Sequence, residues 1–364
     1  MMYLYLRITL IFMLIFFKGC TSPIDINDIE ETEYVWSYLG LEGKSVTAVE
    51  DTPWGLFAGT HWDGVFRYDE NRNRWISLGL EHAAISEIAY AATDEPKVLV
   101  AVRISREEGE TTPAVIYASK DGGNSWMEWD GGIAKQKDGY YSAFSLLVDD
   151  SKPERMYFGA DWGALLYSED GGMSWDYISG DQSAWGGGTY AIALSPERDG
   201  RMWFGGTTAF FAPIIGRSEE WGKDSDFNFI SRREGTVGTI IVDEEDADRL
   251  WMRVHTGGIY TSDDGGDNWE LVLESFPDTE EEPVLFTGLS KKPDNLYAVG
   301  AERSPPPTPY EEWKPKFYKS NSKGTSWFEL SLPDDVRGTP GLEVDNNNNL
   351  LMTTGDGLWR IERR

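Results

Sequence analysis

The stretch SKDGGNSW, Ser119–Trp126, recurs as SEDGGMSW at Ser168–Trp175, as SDDGGDNW at Ser262–Trp269 and, more weakly, as SNSKGTSW at Ser320–Trp327. An aromatic residue precedes each copy: Tyr117, Tyr167, Tyr260 and Tyr318. The order of residue types is that of a tight hairpin. Ser ends one strand, Asp folds back to accept backbone N–H groups, and Gly supplies positive φ. The Trp then opens the next strand, where its ring can remove about 150–250 Å² from water.

Two further strands precede each string, and their pattern extends to parts of the chain that lack it. The second-strand copies are LFAG (Leu56–Gly59), VLVAV (Val98–Val102), MYFGA (Met156–Ala160), MWFGG (Met202–Gly206), LWMRV (Leu250–Val254), LYAVG (Leu296–Gly300) and LLMTTG (Leu350–Gly355). First strands stand before them, among them SLLVDD (Ser145–Asp150), IALSPE (Ile192–Glu197), IIVDEE (Ile240–Glu245) and GLEVDN (Gly341–Asn346). Periods of roughly 40–55 residues with about four strands each predict an all-β propeller. The copies predict seven blades, six being the alternative count. The last copy supplies only three strands, ending in GLWRIE (Gly357–Glu362). WSYLGL (Trp36–Leu41) matches WISLGL (Trp75–Leu80), the fourth strand of the first blade. The N-terminal strand is therefore expected to complete the last blade and leave no free edge.

The recurring strings resemble the Asp-box, or BNR, repeat of sialidases, sortilin-type receptors, xyloglucan-cleaving hydrolases and a photosystem assembly factor. The resemblance implies a propeller whose boxes lie on the outer part of the blades, away from the ligand face. Asp121, Asp170 and Asp264 are on that ground fold residues rather than catalysts. It does not fix the chemistry, because such propellers include both enzymes and pure binding modules.

Composition fits a folded chain, with 40% hydrophobic residues and 16 Trp, 17 Tyr and 16 Phe among 364 residues. A formal charge of −29 disfavours nucleic acid, whose phosphates would be repelled. The first 20 residues, MMYLYLRITLIFMLIFFKGC, read as a signal peptide: Arg7, an apolar run from Ile8 to Phe17, then Gly19 and Cys20. The run is shorter than the ~20 apolar residues of a membrane-spanning helix. Cys20, the single cysteine, cannot form an internal disulfide and resembles the modified cysteine of a bacterial lipoprotein. Phe17 and Lys18 depart from that pattern, and plain secretion or an uncleaved anchor are the alternatives. The expected organisation is a signal peptide over 1–19, a lipidated cysteine and polar tether over 20–33, and the propeller over 34–364. Such a chain is expected in a bacterial cell envelope, on the extracytoplasmic side, at the outer membrane.

In a propeller, loops joining second to third strands and loops joining blades gather at one mouth of the channel, where ligands bind. THWDG (Thr60–Gly64) and ADWG (Ala160–Gly163) place Trp62 beside Asp63 and Trp162 beside Asp161. A sugar ring needs such a pair, an apolar plate for its C–H face and a carboxylate for its hydroxyls; a peptide could use the same pair. The other outcome is that both Trp rings pack between blades. Tyr140, Tyr141, Trp185 and Tyr190 add aromatics on blade-joining loops. His61 and His255 occupy corresponding loops, with VHTGG (Val254–Gly258) and TGDG (Thr354–Gly357) completing the set. Long insertions are expected at Arg103–Ala114, Thr207–Gly216 and Ala301–Lys316.

Hydrolysis of a glycoside would need two carboxylates about 5–10 Å apart, for which Asp63, Asp161 and Asp356 are candidates by loop position. A sialidase's early Arg-Ile-Pro motif is only approached by Arg103-Ile104-Ser105. No nucleophile elbow appears. His61, His82 and His255 are too dispersed to indicate zinc, and PDTEEE (Pro277–Glu282) lacks the spacing of an EF-hand loop. No metal or cofactor is expected. The expected function is binding or assembly on an extracytoplasmic glycan or protein through Trp62, Asp63, Asp161, Trp162, His61, His255 and Arg103, without covalent chemistry. A glycan-active hydrolase is the alternative.

Overall fold

The computed structural model of the chain describes residues 34–105, 114–133, 142–179, 187–223, 226–229, 235–275, 283–302, 313–321 and 323–363. Their strands form seven four-stranded sheets, each antiparallel throughout, as the seven-copy count predicts. Numbered in chain order, blades 1 to 6 open on innermost strands Val46–Thr52, Ala83–Ala91, Ala143–Val148, Gly188–Leu194, Val237–Val242 and Val284–Lys292. Blade 7 comprises Gly341–Val344, Leu350–Thr354, Gly357–Arg363 and the N-terminal strand Tyr34–Gly40.

The ring closes through that last sheet. Trp36 pairs with Ile361 and Tyr34 with Arg363. The Trp36 ring meets Trp359 of its own blade and Phe317 of blade 6 edge-on, at 6.4 and 5.7 Å between centroids. Hydrophobic burial runs along the seams between blades. Ala48, Phe57 and Val65 of blade 1 pack with Ile85, Ile88 and Val100 of blade 2, while Val46 and Val49 of blade 1 pack with Leu351 and Leu358 of blade 7. A chain of this length avoids the size limit of a single core because each blade buries its two faces against its neighbours.

The recurring strings form the outer turns of blades 2, 3, 5 and 6. In the first, the Asp121 carboxylate accepts the Ser125 N–H and hydroxyl, and Ser119 Oγ accepts the Gly123 N–H at 2.7 Å. Gly122 and Gly123 adopt φ of 68° and 89°. Asp170 and Asp264 repeat the arrangement. The turns also latch onto the preceding blade: Trp129 of blade 2, Trp203 of blade 4 and Trp251 of blade 5 donate Nε1–H to Gly171, Gly265 and Lys323 of the blade that follows. Blade 4 makes a related turn in SEEWG, where Ser218 Oγ accepts the Gly222 N–H at 2.6 Å and Glu220 stands where the other turns have Asp.

One expectation is corrected. Thr207–Gly216 is not a long insertion. Strands Met202–Thr207 and Pro213–Ser218 pair across most of it, leaving a five-residue turn, because Pro213 and the isoleucines after it continue the ladder. The greater parts of the other two expected insertions, with Cys20, Tyr140, Tyr141, Trp185 and Pro277–Glu282, lie outside the described residues.

Candidate functional site

A repeated turn shapes the mouth. In blades 1, 3 and 4 the loop between second and third strands spans five residues, closed by the first N–H donating to the fifth C=O. These bonds are Thr60 to Gly64 (3.0 Å), Ala160 to Ala164 (2.9 Å) and Thr208 to Ala212 (2.9 Å). The third residue is aromatic in each: Trp62, Trp162 and Phe210. Each turn is pinned to the chain entering the next blade, through His82 N–H to Trp62 C=O, Gly163 N–H to Gly187 C=O, and Gly235 N–H to Phe211 C=O. The rings are consequently held out from the blades. Trp162 is 52% exposed and Phe210 87%, while Trp62 is half-buried. Burial between blades, the other outcome open in the sequence, does not occur at Trp162, whereas Trp62 sits half-buried at the seam of two blades.

Trp62 lines a hollow of about 410 Å³ at the seam of blades 7 and 1, with Gly43, Ser45, His61, Asp63 and Gly355. The His61 ring meets Trp62 edge-on at 4.8 Å. Lys44 pairs with Asp63 at 2.7 Å, and the neighbouring Gly43 N–H donates to Asp356 at 2.5 Å. Asp63 and Asp356 thus flank one loop, Asp63 held by an ion pair and Asp356 by backbone.

The channel itself opens into a second hollow of about 490 Å³. Six of the seven innermost strands carry a bulge near their mouth end, at Thr47, Ser86, Phe144, Tyr190, Gly238 and Thr287. A bulge re-aims a side chain out of the ladder, and all six residues line the hollow. Where the bulged residue is Ser or Thr its hydroxyl stitches to the next blade: Thr47 to Ile85 C=O (2.7 Å), Ser86 to Ala143 C=O (2.6 Å), and Thr287 to Pro340 C=O. Between blades 5 and 6 the Arg253 guanidinium takes over, donating to Phe286 C=O at 3.2 Å. It fits because the bulge there is Gly238, where a Cβ would lie 2.0 Å from the guanidinium.

One wall of this hollow is aromatic and the other charged. Phe144 stacks on Tyr190 at 4.3 Å, and the exposed Arg103 lies over Phe144 at 5.3 Å. Glu87, Glu343, Arg253 and His255 line the remainder. Burial pushes Glu50, on the innermost strand of blade 1, up to about 8 against the pull of the Tyr90 N–H, and the Glu343 charge adds to the rise. Glu87 is carried well above the usual carboxylate range by burial and by Glu343 and Glu50. Glu343, exposed to the hollow but surrounded by protein, is raised by that surrounding, with Arg253 opposing. Burial lowers Arg253 to about 10, and burial with the Arg253 charge lowers His255. Protonated carboxyls of this kind donate hydrogen bonds as well as accept them. Asp161, raised by burial, accepts the Ser142 N–H at 2.8 Å, and the Arg103 charge opposes the rise.

The residues singled out in the sequence therefore fall into two neighbourhoods. His61, Trp62 and Asp63 share the seam hollow with Asp356 at its edge, and Arg103 and His255 share the channel hollow. Asp161 and Trp162 stand on the rim at blade 3. Sequence reasoning passed over Glu50, Glu87, Glu343, Arg253, Phe144 and the Phe210–Phe211 turn. A signal existed for the glutamates, each an acidic residue inside an otherwise apolar or small-residue first strand: SVTAVEDT, AAISEIAYA and GLEV. Among the described residues no three His, Cys, Asp or Glu side chains converge as a metal-binding group.

No family model matches the chain. It is 23% identical over 332 residues to an oligoxyloglucan-reducing end-specific xyloglucanase of Emericella nidulans, a match covering 79% of this chain but 40% of that relative. The chain thus spans less than half the length of the curated relative it matches. Among solved structures, YCF48 from Cyanidioschyzon merolae superposes with a TM-score of 0.61 at 12% identity, over 89% of this chain and 98% of that one. A YCF48 structure bound to D1 peptide gives 0.63 at 13% identity, over 90% and 94%. These likenesses bear on the propeller fold alone.

Proposed function

We propose that this propeller is a glycan-binding module, exported and tethered through Cys20, that holds its ligand at the channel mouth without cleaving it. The observation that carries the proposal is the repeated turn that presents Trp62 and Trp162 at one position on blades 1 and 3, with Asp63 and Asp161 beside them. Stacked sugar rings leave hydroxyls at their edges, and the carboxylates and the hollow's Thr and Ser residues can take them up. The similarity to a xyloglucanase supports a glycan over a peptide and suggests xyloglucan oligosaccharides as the first probe. Outer turns that resemble the Asp-box repeat are compatible with either class.

Calorimetric titration with xyloglucan oligosaccharides tests the proposal. Trp162→Ala should weaken binding by about 1–3 kcal/mol, the usual weight of an aromatic anchor. A second possibility, hydrolysis, is favoured by one observation: Glu87 and Glu343 share the channel hollow with raised pKa values. Product analysis separates the two, since a hydrolase loses product in Glu343→Gln while sugar still binds. The tether is tested by intact-mass measurement after bacterial export, expected to show a lipid-modified form beginning at Cys20. An unmodified cysteine, or cleavage elsewhere, contradicts it.

A further inference from the structure

The Phe210–Phe211 turn is the most conspicuous apolar feature on the described surface, with the two rings 87% and 65% exposed. Isolated exposed apolar residues need no explanation, but two adjacent large rings on a rigid turn do. Five hydrogen bonds fix them. Thr208 N–H donates to Ala212 C=O, Phe211 N–H to Thr208 C=O, and Gly235 N–H to Phe211 C=O at 2.6 Å. Thr208 Oγ1 accepts the Phe210 and Ala212 N–H groups at 3.3 and 3.2 Å. Phe211 is held at φ 58° and Trp162, on the adjacent blade, at φ 62°. A left-handed backbone is unfavourable for a bulky residue and persists only where its surroundings over-determine it.

Phe210 is the third residue of its five-residue turn, as Trp62 and Trp162 are of theirs, and this turn too is tied to the chain entering the next blade, here through the Phe211 C=O. The repeat thus places a third plate on the same rim, one blade beyond Trp162. Phenylalanine brings no polar handle, so its contribution to a sugar ligand is stacking alone. It suits pyranose units whose hydroxyls are equatorial and whose faces present C–H groups. Because the backbone that carries both rings is already fixed, a docking ligand has only side-chain rotamers to order.

We propose that the Phe210–Phe211 turn is an outlying subsite which extends the Trp162 surface onto blade 4, so that the mouth selects linear pyranose chains by length. The proposal rests on the glycan-binding function above. It predicts that affinity rises with chain length until the ligand reaches blade 4, and that the added affinity belongs to this turn.

The experiment is calorimetric titration of the full chain with a ladder of xyloglucan and β-glucan oligosaccharides, comparing wild type, Phe210→Ala/Phe211→Ala and Phe210→Trp. The double variant should lose about tenfold or more in affinity for the longest oligosaccharides and nothing for the shortest. Phe210→Trp should keep the length dependence, and melting curves should show all three proteins folded. Equal affinity of wild type and double variant for long chains overturns the proposal, as does an equal loss for short and long. If Trp162→Ala loses binding while the phenylalanine variants do not, glycan binding stands and only this subsite falls. If wild type binds no oligosaccharide of any length, both fall, and binding of a peptide instead makes the turn part of a protein interface.

Discussion

Carboxylates at the outer turns and carboxylates in the channel respond to the fold in opposite directions. Hydrogen bonds from Ser125 and Ser119 hold Asp121 down at about 2, and those from Asn268 lower Asp264. Asp170 is held low by Ser174 and Ser168 despite partial burial. On the innermost strands, the surrounding protein raises Glu50, Glu87 and Glu343. Burial and donor groups together set the sign: an outer Asp such as Asp121 is exposed and receives three, whereas Glu50 and Glu87 are surrounded by protein and each receive a single backbone N–H. The outer turns spend their polar groups on the fold and repeat from blade to blade. The channel residues differ from blade to blade and keep capacity for a ligand.

The largest expected effect comes from breaking the ring. Deleting Tyr34–Gly40 exposes the edge Gly357–Arg363 and uncovers Trp359 and Phe317, so the cooperative melt should be lost or give way to aggregation in size-exclusion chromatography. A variant that melts like the full chain would show that the N-terminal strand is dispensable.

Next come the outer turns. Trp175 is buried and edge-on to Phe158 at 4.8 Å, so Trp175→Ala should cost about 3–5 kcal/mol in urea unfolding. Trp126 is only half-buried, and Trp126→Ala should cost less. Equal costs would mean that burial does not set the weight of these turns.

The pH dependence is smaller and separates the two regions. Glu50, Glu87 and Glu343 have folded pKa values raised above their unfolded ones. The stability they confer is therefore complete below about pH 4.5 and is lost as pH rises through about 8, the folded value of Glu50. The outer Asp residues act inversely: their contribution is present above the ordinary Asp range and lost as pH falls toward 2. Because Glu343 is exposed and Glu50 and Glu87 are only partly covered, the loss between pH 5 and 9 should be on the order of 2 kcal/mol rather than the full linkage value. Glu50→Gln should flatten that decline in denaturation curves, and an unchanged slope would remove Glu50 as its source.

The fold was legible because its signals are local and repeated. SKDGGNSW encodes a complete turn in eight residues, and the Trp36 and Trp75 strings match closely enough to close the ring on paper. Trp62 and Trp162 were legible for the same reason, as matching loops. The rest of the mouth depends on what the ring brings together across the sequence. Arg103, Phe144 and Tyr190 form one stack from three blades, and Glu87 and Glu343 meet in the channel from opposite ends of the chain. Thr207–Gly216 was misread as an insertion because pairing across Pro213 is not a local property.

The central claim is that the outer turns serve the fold and the mouth serves the ligand. Its most direct test is one paired measurement on Trp162→Ala and Trp175→Ala: melting temperature, and affinity for a xyloglucan oligosaccharide well below the melt. The account predicts opposite losses, Trp162→Ala keeping its melting temperature and losing roughly 1–3 kcal/mol of binding, Trp175→Ala melting lower and binding as wild type. Full affinity in a folded Trp162→Ala, or lost affinity in a folded Trp175→Ala, would contradict it.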